Sequence, residues 1–113
     1  MSFSTSGGKS TASQFQSIGN EVLKRYSESV ITSILQEAGQ DGVAAANART
    51  PVRTGRLRDG NQADVSNLNL NFHNDVEYAG YVNDGTSKMA PTNFFDAGVE
   101  AIKNTLDREF KKL

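Results

Sequence analysis

Four arginines, Arg49, Arg53, Arg56 and Arg58, fall within ten positions, beside Pro51 and Gly55. A guanidinium is a planar fork of donors that stays charged and grips carboxylates or phosphates through paired hydrogen bonds. Three uses are open to such a cluster. It can make ion pairs within its own chain, with the remaining heads solvated. It can hold phosphate backbone, as a small nucleic-acid-binding module built on the Arg49 to Arg58 corner would. Or it can pair with carboxylates across a subunit interface, for which Asp75, Glu77, Asp84 and Asp96 are candidate partners, in or near loops expected at the other end of a sheet. Against phosphate binding stand the absence of interleaved aromatics and a net charge of −1, from 12 basic and 13 acidic residues.

Other chemistry is thin. His73 is the only histidine and there is no cysteine, so neither a two-histidine metal site nor a thiolate site can be built, and no metal or cofactor is expected. The stretch from Asn83 to Ser87 lacks the alternating carboxylates and closing glutamate of a calcium loop. Gly7 to Ser10 resembles only the tail of a phosphate loop, without its first glycine or its preceding strand. No nucleophile stands with a base, and the reading is of a protein that is not an enzyme.

The elements around the corner follow from hydrophobic spacing. The first residues, to Ser13, are mostly Ser, Thr, Gly and Ala, a composition that buries too little to offset ordering entropy, so residues 1–13 are expected as a flexible arm. Residues 14–113 are expected to form one domain. From Gln14 the apolar residues Ile18, Val22, Tyr26, Val30, Ile34 and Ala38 recur every four positions, the stripe of a long helix running to about Ala48. Such a helix outgrows a domain of this length, so it is expected to bend near Gly39 and Gly42 or to project. Pro51 ends it at or before Thr50, and Gly55 serves the change of direction that follows. Alternation over Gln62–Ser66, Leu68–His73 and Val76–Val82, with turns at Ser66-Asn67 and Asn74-Asp75, predicts a three-stranded antiparallel meander. After a loop through Pro91, the spacing of Phe95, Val99, Ile102, Leu106, Phe110 and Leu113 predicts a second helix packed on the sheet. The fold class is α+β. With apolar residues at only 36%, a chain of 113 residues has little to bury alone, and association is expected. No apolar run is long enough to span a membrane, and Met1 to Thr11 lacks the plan of a signal peptide, so the chain is expected to be soluble and unprocessed.

The order of segments carries a resemblance. Ala45 to Arg58 is similar to the "alanine-rich helix, Pro, Thr-Gly-x-Leu-Arg" segment of the neck or tail-completion proteins of long-tailed bacteriophages and prophages, often labelled minor tail component. Tyr78 to Val82, then Gly85-Thr86, Met89-Ala90-Pro91 and Phe94-Phe95 ahead of a helix repeat the second half of that pattern. The match runs from about Val43 to Ala97. It departs at Asn83-Asp84, where the family often has glutamate, and at Thr92-Asn93, where Arg-Pro is common.

The resemblance implies a structural virion protein that forms a homo-oligomeric ring at the head–tail junction, six-fold favoured and twelve-fold possible. Made in the host cytoplasm, it would join head-completion or adaptor proteins to the tail terminator or tail tube and let DNA pass without specific binding. Its contacts between subunits or rings would use Arg49, Arg53, Arg56, Arg58, Asp84, Thr86, Met89 and Phe94, with backbone turns at Pro51, Gly55, Gly85 and Pro91.

Overall fold

The structure, a computed structural model, describes residues 2–6, 11–16, 28–52 and 55–112. Its elements in chain order are β1 (Ser2–Ser6), β2 (Thr11–Gln16), α1 (Glu28–Arg49), α2 (Arg56–Asp59), β3 (Asn61–Ser66), β4 (Asn69–Asn74), α3 (Ala79–Asp84) and α4 (Phe94–Lys111). The sheet is antiparallel throughout, in the order β1-β2-β4-β3. Helix α1 lies over β3 and β4, and α4 lies along α1. The architecture is α+β with an antiparallel sheet and a C-terminal helix.

The buried face of α1 is Ile31, Ile34, Leu35, Ala38, Gly42 and Ala46, one stripe at helical spacing. Glu28 in its first turn and Arg49 in its last both suit the helix dipole. Facing it, Ala63 and Val65 of β3 pair with the buried Phe72 and Leu70 of β4. The Phe95 ring of α4 stacks on Phe72 with centroids 4.6 Å apart, and Phe94 meets Phe95 edge-on. The opposite sheet face carries Gln62, Asp64 and Ser66 paired with His73, Asn71 and Asn69, a wholly polar surface.

Several expectations change. Helix α1 runs unbroken through Gly39 and Gly42. Those glycines serve close approach instead of a bend: a Cβ on Gly39 would lie 2.9 Å from the Ala63 Cβ, and one on Gly42 would lie 2.6 Å from the Ile102 side chain. Residues 11–16, where the sequence reading passes from arm to helix, form β2, because β4 would otherwise present a bare edge of unpaired backbone groups. Ser2–Ser6, expected within the arm, forms β1. The apolar positions Ile18, Val22, Tyr26 and Leu113, and the segment Gly7 to Ser10, lie outside the described residues.

The meander has two of its three expected strands, β3 and β4. Their turn is Asn67-Leu68, one residue later than expected, with both residues at positive φ (50° and 63°) as a tight two-residue hairpin requires. Residues 76–82 form a turn and helix α3 in place of the third strand. The Asn74 side chain accepts a hydrogen bond from the Val76 amide at 3.0 Å and ends β4. Val76, Ala79 and Asn83 are then buried at spacings of three and four, a helical period hidden under an apparent alternation.

Candidate functional site

The corner begins where α1 ends. Thr50 closes the helix twice over, its amide and its hydroxyl both donating to the Ala46 carbonyl at 2.9 and 2.7 Å. Gly55 takes φ 83°, the conformation that starts the single turn of α2. Leu57 pins that turn to the core. Beneath it lies a buried chain of amides. Asn74 donates to the Leu57 carbonyl (2.8 Å) and to Asn61 (2.9 Å); Asn61 in turn donates to the Thr50 hydroxyl (2.9 Å) and to Asn47 (3.0 Å). One network thus fastens the end of α1, helix α2, the start of β3 and the end of β4. Gly60 has no room for a Cβ, which would stand 2.7 Å from the Asn74 side-chain oxygen. Arg49, Arg56 and Arg58 stand on the elements this network joins.

Above that platform the arginines differ. Arg56 donates to Glu77 at 2.8 Å and lies 5.6 Å from the centre of the Tyr78 ring. The Glu77 carboxyl is held below its ordinary range, first by its own backbone amide and then by Arg56, while the Glu77 hydrogen bond raises Arg56. Arg58 is exposed and stands 3.9 Å from Asp59. Arg49 is exposed at the end of α1 and makes no ion pair among the described residues. Arg53 lies outside them. Glu77, expected at the far end of the sheet, stands beside the corner. Two antiparallel strands, unlike three, return the chain to the end it left.

A second feature follows α3. Its buried residue Asn83 caps α4 from outside the helix: the side-chain oxygen accepts from the amides of Phe95 (2.9 Å) and Asp96 (3.3 Å), and the amide nitrogen donates to Asp84 and Asp96. Thr92 ties back to the Val82 carbonyl through its amide and its hydroxyl. Gly85, at φ 81°, lies so close to Pro91 that a Cβ would come within 2.7 Å of its nitrogen. This base closes a small loop whose tip, from Thr86 to Ala90, is exposed and held by a Thr86–Met89 bridge. Among the contact residues expected from the sequence, Thr86, Met89 and Asp84 are on this surface. Phe94 is not. It is fully buried in the chain's own core, because the first turn of α4 directs it inward beside Phe95. Pro51 and Pro91 are both exposed and outside regular structure.

His73 is engaged at both ring nitrogens, by Asp64 at 2.8 Å and Asp75 at 3.2 Å, so neither is free to act as a base. Its side chain is only 16% exposed. Among the described residues no group of three or more His, Cys, Asp or Glu side chains is placed to hold a metal ion. Between α1 and α4, Glu37 faces Glu109. A hydrogen bond with Glu109, followed by burial and by the charge of Glu109, raises Glu37, whereas Lys112 at 3.1 Å holds Glu109 low. Arg108 bridges Glu37 and Asp41 at 3.4 and 3.9 Å.

The asparagines at 47, 61, 74 and 83 have no place among the contact residues drawn from the sequence. A signal was there for two of them: Asn61 and Asn74 fall at positions where the two-residue period of β3 and β4 demands apolar side chains.

Compared with known proteins, residues 13–85 match the family model described as HK97-gp10-like, a bacteriophage tail component. That span is about two thirds of the chain and includes α1, the corner, β3, β4 and α3. No curated protein and no solved structure gives a significant match.

Proposed function

Because the chain belongs to the bacteriophage HK97-gp10-like family of tail components, we propose that it is a structural virion protein forming a ring at the head–tail junction. There it joins the tail to the head-completion proteins and leaves a passage for DNA. The observation that carries this reading is the family match across α1, the corner, β3 and β4.

The physical features agree with it. A net charge of −1 avoids the phosphate contacts that would hold passing DNA back. The exposed Arg49 and Arg58, together with Asp84, Thr86 and Met89 of the rigid loop, are the contacts to neighbouring subunits or rings. Pairing of Arg56 with Glu77 within the chain removes one fork from the phosphate-binding alternative. Among the described residues no helix is long and apolar enough to cross a membrane.

The test is a phage from which this chain has been deleted. Filled heads and complete, unattached tails should accumulate, and supplying the protein should restore joining. Normal particles from the deletion phage would refute the reading. Salt-sensitive retardation of DNA by the purified protein would favour the nucleic-acid module instead.

A further inference from the structure

We infer that adjacent copies are joined by their sheets, with β1 of one copy adding as a fifth strand along the open edge of β3 of the next. The inference rests on the ring proposed above and says how its subunits meet.

Among the described residues, the two outer strands of the sheet, β1 and β3, each have one edge without a strand partner. Such edges carry unpaired amides and carbonyls and recruit further strands unless guarded by charge, proline or a covering element. β1, Ser2-Phe3-Ser4-Thr5-Ser6, has no charge and no proline. At the other edge, three consecutive β3 residues, Ala63, Asp64 and Val65, line one groove of about 750 Å³ against α1. Successive strand residues point to opposite faces, so a groove touching all three runs along the strand's edge and not over one face.

The groove fits this occupant in length and chemistry. Its α1 wall extends from Gln36 to Asn47, about 17 Å at the helical rise. A strand of five residues is about 17 Å long. By register, Phe3 and Thr5 of β1 share the sheet face of Ala63 and Val65, the face that α1 covers with Gly39, Val43 and Ala44 of the groove.

Direction agrees as well. The four strands alternate in direction, so β1 and β3 run oppositely. A copy added in the same orientation therefore continues the antiparallel alternation. The contact is head-to-tail, the type that closes into a ring when the rotation between copies permits.

The natural chain has no cysteine, which makes disulfide trapping clean. Ser4→Cys would be combined in turn with Gln62→Cys, Asp64→Cys and Ser66→Cys, and each protein oxidised both purified and within phage particles. Facing residues on antiparallel strands are close enough for a disulfide, and residues out of register are not. One of the three pairs should convert the monomer band to a ladder ending at the full ring. Mixing that pair's two single variants should yield dimers only. On the unaltered chain, every second amide of β3, those pointing away from β4, should gain protection from hydrogen exchange on assembly.

Rings that form with no cross-link from any pair and no added protection would overturn the inference and leave the ring intact. Protection appearing only when a head-side protein is added would assign the groove to a different chain and also overturn it. A monomeric mass in solution together with no ring in particles would remove the ring reading itself.

Discussion

Gly42 of α1 faces Ile102 of α4 so closely that a Cβ on the glycine would stand 2.6 Å from two carbons of the isoleucine. One turn further along the crossing, Gly98 of α4 receives the edge of the Phe72 ring and lies against the Gly42 carbonyl, 2.9 Å from where its own Cβ would be. The two glycines let the helices sit together on the sheet. Alanine at either site recovers about 1 kcal/mol of helix propensity. At Gly98 that gain meets an aromatic ring and a backbone carbonyl, neither able to yield, and overpacking of this kind costs about 1–3 kcal/mol. Gly98→Ala should therefore lower stability in denaturant unfolding. Gly42→Ala meets the fully buried, β-branched Ile102 and should lower stability as well.

The buried asparagines give a larger effect. Asn74→Ala would strand the Leu57 carbonyl, the Val76 amide and the Asn61 side chain, at about 1–3 kcal/mol for each group left unsatisfied. The corner should loosen with it, seen as faster amide exchange over residues 56–60. Asn71→Ala, on the polar sheet face, should change stability by no more than about 0.5 kcal/mol.

Acid and base should act oppositely at two glutamates. Glu77 is held low by its own amide and by Arg56, so it stabilises the folded chain above the ordinary glutamate range, and that contribution is lost as pH falls through its lowered value. Glu37 is raised by its hydrogen bond to Glu109, so its contribution is present below the ordinary range and is lost as pH rises through its raised value. Thermal unfolding across pH 3 to about pH 8 checks the signs. Glu77→Gln should lessen the loss of stability in acid, and Glu37→Gln should raise stability at neutral pH.

How far the sequence foretells this structure varies by element. The end of α1 before Pro51, the positive φ at Gly55 and the stripe of α4 are local consequences of residue type, and all are found. The third strand misled because Val76, Tyr78 and Val82 alternate while Ala79 and Asn83, small and polar, conceal the helical period that burial reveals. Strand β2 is a tertiary effect: Ala, Ser and Gln, four of its six residues, do not favour a strand of their own accord, and β4 supplies the partner. The arginine cluster was visible at once, but its division into a paired Arg56 and an exposed Arg49 depends on where Glu77 returns in space.

That division makes charge reversal informative. Arg49→Glu should leave unfolding midpoints close to the original and abolish joining of heads to tails in complementation. Arg56→Glu places like charges at the Glu77 contact, so its loss of joining should come with some loss of stability, and Glu77→Arg in the same chain should recover that stability. Equal tolerance of both reversals would remove the corner from the contact surface.

Locating the chain in the intact virion tests the central claim most directly. A reconstruction of phage particles by electron cryo-microscopy should show it as a closed ring between the head-completion proteins and the tail, encircling the DNA path. Density for this chain along the tail shaft, at the distal tip, or nowhere in the particle would contradict the account.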